Sequence, residues 1–520
     1  MSIIHLLSFV LIQFVSAQSS SEAQNATAFA LMYGYPLLAF EKLAPSLLHS
    51  IGPNQLLHNR ELQNANFRGV VSPNVDTLYS TAIFDLSHSD LVISVPEVPS
   101  SQFALFSYYD PYGDNFANTG TGSFDKAGDY KLTLRANGTS AYGVKPENAS
   151  SDYKATIYSP SAYGIFLIRW LLTPTNLYAV HSYQNNTSLK NLSRPFTIGP
   201  YVTELAGANR SKSPAENALN LLAEFAKYDG PEIVSDEEKV TTALMEAGIS
   251  DGKYNTPANV NITKANETAI IEAVTSWNSA QESLNNGWTN LEPNKTGDFG
   301  ANYGIRTAAA ASGYLMLKAP IAVYPIWSNT SSTASSLFEG ASLDIPVGES
   351  LIYTFSRKPP LQEAGFWSLT AYQDNYLIPN SRNVYALGDR SNLTYPDGSP
   401  VYGNNTSAES GEFQILIQAA DVSPPANWTS NWLPAPSGGG SITAILRLFA
   451  AEEALINGDY DYPMVTRQGA IVASLNTTNS SSPTPSTTPT PYTGGSEARR
   501  ALPSSVKFAM LMLFGTALYL

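Results

Sequence analysis

The spacing of the apolar residues changes twice along this chain, and those two changes limit the available folds more than any single motif does. From residue 70 to about 195, short apolar runs sit between Pro, Gly and Asn breaks. They include Leu91-Val-Ile-Ser-Val95, Phe103-Ala-Leu-Phe-Ser-Tyr-Tyr109, Tyr130-Lys-Leu-Thr-Leu134 and Tyr163-Gly-Ile-Phe-Leu-Ile-Arg-Trp170. Alternation at a period of two places side chains on opposite faces of strands, so this block reads as a β-sandwich or barrel. The period then lengthens. Ser213-Pro-Ala-Glu216 is a capping box with Pro at the first helical position, opening a helix through Leu219 to Tyr228. Ser235-Asp-Glu-Glu238 repeats the device ahead of Val240 to Ala247, and Ala265 to Leu284 and Arg306 to Met316 continue the helical period. From Tyr314 onward strand patterns return, as in Ser350 to Phe355, Gly365 to Tyr372, Phe413 to Gln418 and Ile442 to Phe449. The expected class is mainly β with a helical connector (α+β). The expected boundaries are 23–199 for the first module, which opens on a helix kinked at Pro36, 200–318 for the connector and 319–468 for the second module.

A chain of 520 residues can bury at least two cores. Its ends read as addresses. Met1 to Ala17 has the apolar run and small-residue cleavage site of a secretory leader. Residues 469–493 form a Ser/Thr/Pro stalk too poor in apolar side chains to fold. Gly494, Gly495 and Ser496, a polar spacer and the apolar tail Val506 to Leu520 have the order of a GPI attachment signal over 494–520. Glycosylation sequons recur from Asn25 to Asn479. The expectation is a surface glycoprotein that meets the membrane through a lipid anchor only, at the plasma membrane or transferred to the cell wall. The formal net charge of −14 excludes a nucleic-acid backbone as partner, since that contact needs clustered Lys and Arg.

One stretch crowds polar side chains where a loop enters a strand: Val71-Ser-Pro-Asn-Val-Asp-Thr-Leu-Tyr79, ahead of the alternating Ala82, Phe84 and Leu86. Loop ends held by a sheet are where binding and catalytic groups collect. A second polar cluster, Asp110-Pro-Tyr-Gly-Asp-Asn-Phe-Ala-Asn118, offers oxygens that suit a hard cation such as Ca²⁺ or, equally, ordinary Asx turns. Arg169 lies on a strongly apolar strand. A buried guanidinium needs a carboxylate or several acceptors, so Arg169 is expected to face Asp76 or Asp110, as a structural pair or as a clamp for an anionic ligand. Trp432, between Asn431 and Leu433-Pro434, offers an aromatic wall for packing or for stacking a sugar.

Several machineries are absent from the sequence. There is no Gly-x-Ser-x-Gly elbow, no His-Glu-x-x-His and no phosphate-binding Gly loop with Lys. Without Cys, thiol chemistry is excluded, and one of the five His lies in the leader. Catalysis, if it occurs, falls to carboxylates and tyrosines. The candidate catalytic set is Asp76, Tyr79, Asp110 and Arg169, and the candidate binding set is Asn74, Asn115, Arg306 and Trp432. All but Trp432 are expected to converge on one pocket.

The residues carrying these features resemble a known two-module family. Val71 to Leu86, Tyr108 to Gly122 and Pro160 to Gln184 resemble the module known as domain of unknown function 1254. Asn302 to Arg306, Ala322 to Pro325, Phe366 to Thr370, Leu387 to Arg390 and Asn431 to Leu448 resemble its usual partner, domain of unknown function 1214. The resemblance implies two β-sandwich-like modules and no particular reaction. Two functions are expected: a hydrolase acting on an extracellular glycan or small metabolite through carboxylates, or a non-catalytic module binding carbohydrate or cell wall.

Overall fold

The computed structural model describes residues 21–68, 72–136, 138–139, 141–207, 212–319, 321–327, 342–403 and 411–473. The leader, the GPI signal and nearly all of the stalk lie outside these residues, as do the sequons at Asn137, Asn329, Asn404 and Asn405. Among the described residues no helix is long and apolar enough to cross a membrane.

The protein is mainly β, with two β modules and helices concentrated before and between them. The first module is a sandwich of two five-stranded sheets. One holds β1 (Leu57–His58), β2 (Thr77–Asp85), β4 (Ala104–Tyr109), β5 (Ala117–Gly120) and β9 (Tyr163–Leu171), in the order β1-β2-β9-β4-β5. The other holds β3 (Ser89–Val95), β6 (Gly128–Leu134), β7 (Gly143–Pro146), β8 (Ala155–Ser159) and β10 (Ser188–Ser193), in the order β10-β3-β6-β8-β7. Between the sheets pack Leu78, Phe84, Phe106, Phe166 and Trp170 from one side and Ile93, Tyr130 and Leu132 from the other.

The opposite face of the β2–β9–β4 sheet is buried too, which explains why β9 reads as an unbroken apolar run rather than an alternating one. Helices cover part of it. Residues 21–34 and Pro36–Ile51 are helical, broken at Tyr35 because Pro36 cannot donate to the preceding turn. They pack with Pro214–Phe225 and Tyr303–Gly313 in one core that also includes Ile83, Leu105 and Ile165. Approach is close: a Cβ on Gly34 would sit 3.0 Å from Leu222 Cβ. The Ser213 box forms, with Glu216 N–H donating to Ser213 Oγ, and Asn261 caps Ile262–Ser279 through the Lys264 N–H. The expected box at Ser235 does not form. A 3₁₀ turn over Val234–Asp236 leads into Glu237–Glu246 instead, with no side-chain cap.

The connector is also not helical throughout. Gln281–Ser283 and Trp288–Leu291 are strands that join the second module's nine-stranded sheet, where Trp288 pairs with Trp327. The long strands of that sheet are Leu361–Gln373 and Gly440–Ala451. A four-stranded sheet of Glu349–Phe355, Phe413–Ala419, Trp432–Ala435 and Met464–Gly469 packs against it around Trp367, Leu369, Tyr353, Ile415 and Leu446. The polar stretch after Tyr395 also contributes to this core. Val401 is fully buried, and the Trp367 indole N–H donates to the Tyr402 hydroxyl at 2.8 Å.

Candidate functional site

The two modules meet along the polar stretch that precedes β2. Asp76, buried at this junction, takes its partners from the second module: Arg390 Nη2 at 2.5 Å and Ser368 Oγ at 2.6 Å. The Tyr372 hydroxyl donates to Pro73 O at 2.8 Å, Arg447 Nη2 to Ser72 O at 2.8 Å, and Ser72 N–H to Asn375 O at 2.8 Å. Nearby, Phe103 meets Phe366 edge-on at 4.9 Å, and Phe366 stacks on Phe449 at 4.4 Å. Residues 72–76 are therefore held by the second module as firmly as by their own sheet.

Between the modules and the helices lies a cavity of about 490 Å³. Its floor is apolar, with Leu43, Leu167, Leu291, Ile445 and Phe449 among the lining side chains. Its polar groups include Asn74, Tyr79, Tyr324 and two arginines, one from each module. β2 and β9 pair so that Tyr79 stands opposite Arg169, and the guanidinium lies 5.8 Å from the Tyr79 ring centroid. Arg447 projects from the Gly440–Ala451 strand, 5.3 Å from the Tyr372 ring.

Arg169 and Arg447 are each only 6% exposed, yet among the described residues neither forms an ion pair. Arg169 Nη1 finds only the hydroxyls of Ser107, at 3.2 Å, and Tyr109, at 3.4 Å. Arg447 Nη1 is buried with no acceptor, and so is Asn74 Nδ2, whose amide oxygen is used by the Asp76 N–H at 2.6 Å. Among the described residues no carboxylate lines the cavity, whereas Arg169, Arg447 and exposed Lys42 do. Burial pushes the Tyr109, Tyr324 and Tyr372 hydroxyls up, so near neutral pH they offer dipoles to the guanidiniums and no charge.

This geometry corrects the expected pairing. Arg169 does not face Asp76 or Asp110. Of the candidates expected in one pocket, the structure brings Asn74, Tyr79 and Arg169 together on the cavity. Asp76 lies beside it in a more open cleft of about 780 Å³, tied to Arg390. Asp110, Asn115 and Arg306 belong to a separate buried network. There Arg306 Nη1 pairs with Asp114 Oδ2 at 3.1 Å, and its guanidinium lies 4.5, 4.4 and 5.0 Å from the rings of Tyr33, Tyr112 and Tyr303. Asp110 Oδ1 accepts the Asp114 N–H at 2.9 Å, closing a turn, while Asn115 Nδ2 donates to Tyr108 O and Ala117 O, both at 3.2 Å. Burial, then the neighbouring Asp114, raises the Asp110 carboxyl well above the usual range. Near this network the carboxylates of Asp114, Glu232 and Asp298 have oxygens within 4.8 Å of one another. Trp432 is 5% exposed, its indole N–H donates to Gln418 O at 3.3 Å, and the Arg382 guanidinium covers its ring at 5.0 Å. It is a packed wall of the open cleft, and a stacking sugar would have to displace Arg382.

The residue that sequence reasoning missed is Arg447. Its signal was the same as for Arg169, a lone cation in an apolar strand, Ile442-Thr-Ala-Ile-Leu-Arg-Leu-Phe449. Arg390 stood out only as the end of the polar stretch Asn380 to Arg390, and Tyr324 only within the resembling segment Ala322 to Pro325, because their neighbours in sequence are polar or break the strand.

Two family models match the chain. One, described as "Protein of unknown function (DUF1254)", covers residues 53–191, and the other, "Protein of unknown function (DUF1214)", covers residues 345–453. The fold is similar to that of the VPA0106 protein from Vibrio parahaemolyticus, with a TM-score of 0.55 at 16% identity over 86% of this chain and 99% of that one. A protein from Burkholderia cenocepacia covers 88% of this chain and 98% of its own at 10% identity, with a TM-score of 0.39 that carries no argument. No curated protein matches the chain.

Proposed function

Because the chain is a DUF1254 module followed by a DUF1214 module, families without an assigned reaction, we propose its function from the cavity between them: it binds a small organic anion with an apolar body. One observation carries this reading. Arg169 and Arg447 enter the same cavity from opposite modules, both buried and neither paired with a carboxylate. Removing a charge from water costs several kcal/mol even after the protein relaxes, so two buried guanidiniums on one cavity call for something to compensate them. An anionic ligand supplies the missing charge. Arg447 Nη1 and Asn74 Nδ2 supply donors that no described residue uses. The apolar floor accounts for the ligand's remaining surface, in the usual pattern of small-molecule sites.

The reading favours binding over carboxylate-based hydrolysis. Asp76 has both oxygens occupied by Arg390 and Ser368, and the Asp110 carboxyl is committed to its own turn. Neither is among the groups lining the cavity.

The test is a melting screen of the purified protein with matched pairs of ligands: aliphatic and aromatic carboxylates, sulfonates and phosphate esters against their amide or alcohol isosteres. At least one anionic series should raise the melting temperature while its neutral isosteres do not. Equal shifts for charged and neutral partners, or shifts from neutral sugars alone, would reject an anion site.

A further inference from the structure

Away from the cavity, the Asp114, Glu232 and Asp298 side chains converge from three separate segments. Asp114 lies in the loop between β4 and β5, Glu232 follows the Pro214–Phe225 helix, and Asp298 precedes the Tyr303–Gly313 helix. Glu232 is only 2% exposed, and among the described residues no N–H or O–H donor reaches its carboxylate oxygens, which face the Asp298 carboxyl. Its neighbours do not explain this. Asp114 accepts from Phe299 N at 2.9 Å and from Arg306, and Asp298 pairs with Lys318 at 2.5 Å and takes a long bond, 3.4 Å, from the Tyr142 hydroxyl. Arg135 is close, but its Nη1 and Nη2 donate to the main-chain carbonyls of Glu232 and Pro231, at 2.5 and 2.7 Å, and not to the carboxylate. The nearby cations are engaged elsewhere: Arg306 on Asp114, Lys318 on Asp298 and Arg135 on main-chain carbonyls.

We infer that Asp114, Glu232 and Asp298 form a binding site for a hard divalent cation of the calcium or magnesium class, which fastens the residue 296–299 loop to the first module. An all-oxygen ligand set suits calcium or magnesium rather than a softer metal. The oxygens lie within 4.8 Å of one another, close enough for one ion with metal–oxygen distances of about 2.3–2.6 Å, as in calcium sites, to bridge them. The side chain of Asp298 is 18% exposed, which leaves an entry path from solvent. This site differs from the one the Asp110–Asn118 loop suggested on its own. Of that loop only Asp114 takes part, and the other ligands come from more than a hundred residues away in sequence.

The site does not depend on the anion cavity, and its test uses a different probe. Protein stripped with EGTA is titrated with terbium, whose emission nearby tyrosines such as Tyr142 sensitise, and calcium is then added as competitor. Wild type should show saturable sensitised emission that calcium displaces, and its melting temperature should rise with calcium. Glu232→Gln and Asp298→Asn should each weaken terbium binding more than about tenfold. The partly exposed Asp298 gives a variant that does not disturb the buried core. Absence of sensitised emission from wild type together with no calcium-dependent melting shift would overturn the site. Unchanged terbium affinity in both variants would overturn it as well, by placing the ion elsewhere.

Discussion

Asp229 is a buried carboxyl that the fold keeps protonated. It accepts from Ser161 Oγ and lies 3.4 Å from the Tyr163 N–H, but burial outweighs these bonds and raises its pKa to about 8 from an ordinary 3.8. Asp85 nearby pushes the same way, while Tyr112 donates only to the Asp229 main-chain oxygen, at 3.1 Å. The sign follows from proton counting. Between about pH 4 and 8 the folded chain holds a proton that the unfolded chain has released, so Asp229 makes stability fall as pH rises, by at most about 1.4 kcal/mol per pH unit. Urea unfolding at pH 5, 6.5 and 8 should show Asp229→Asn losing less stability than wild type across this window, and parallel profiles would contradict the assignment. Asp229 was invisible in the sequence, because nothing near Tyr228-Asp-Gly230 says whether a turn carboxyl is solvated or enclosed. Arg169 was legible because a cation in an apolar strand must be explained. Its partner was not legible, since compensation comes from tertiary neighbours and, in this account, from a ligand.

The elements themselves were the most legible part, because each strand carries its own pattern of burial. Most of the first module's longer strands, β2, β3, β4, β6 and β9, fall where alternation or apolar runs placed them. Their pairing was not legible. The parallel β6–β8 contact and the adjacency of β2, β9 and β4 are set by packing between residues distant in sequence. The helices of the connector were read from caps and period, but their burial against the β2–β9–β4 sheet was not. The short strands Gln281–Ser283 and Trp288–Leu291 were missed because they are too brief to show a period and follow directly on a helix. Gly164 in β9 shows how tightly this sheet is built. It pairs with Phe84, and an added Cβ would lie 2.2 Å from Tyr109 O and 2.3 Å from Phe84 Cζ. Gly164→Ala should therefore destabilise by about 3 kcal/mol through overpacking, read as a lower urea midpoint with an unchanged slope. A neutral effect would mean that β9 and β4 can separate at low cost.

At the scale of the whole molecule, a chain of net charge −14 encloses a cavity whose charged lining is entirely cationic. That contrast could not be read from composition, which averages over the surface, nor from either module alone, since each supplies one guanidinium. If Arg169 and Arg447 are retained chiefly for a ligand, a paired measurement of stability and binding will show it. Urea unfolding of Arg169→Met, Arg447→Met and the double variant is run without ligand, alongside anion-induced melting shifts on the same proteins. Without ligand, Arg169→Met should be at least as stable as wild type, because a buried charge without an ion-pair partner has been replaced by an apolar side chain of similar volume, while Arg447→Met and the double variant also lose the bond to Ser72 O and should stay within about 1.5 kcal/mol of wild type. The anion-induced shift should disappear in all three. Destabilisation by about 3–5 kcal/mol, as expected when one half of a buried pair is removed, together with an undiminished response to anions, would contradict it.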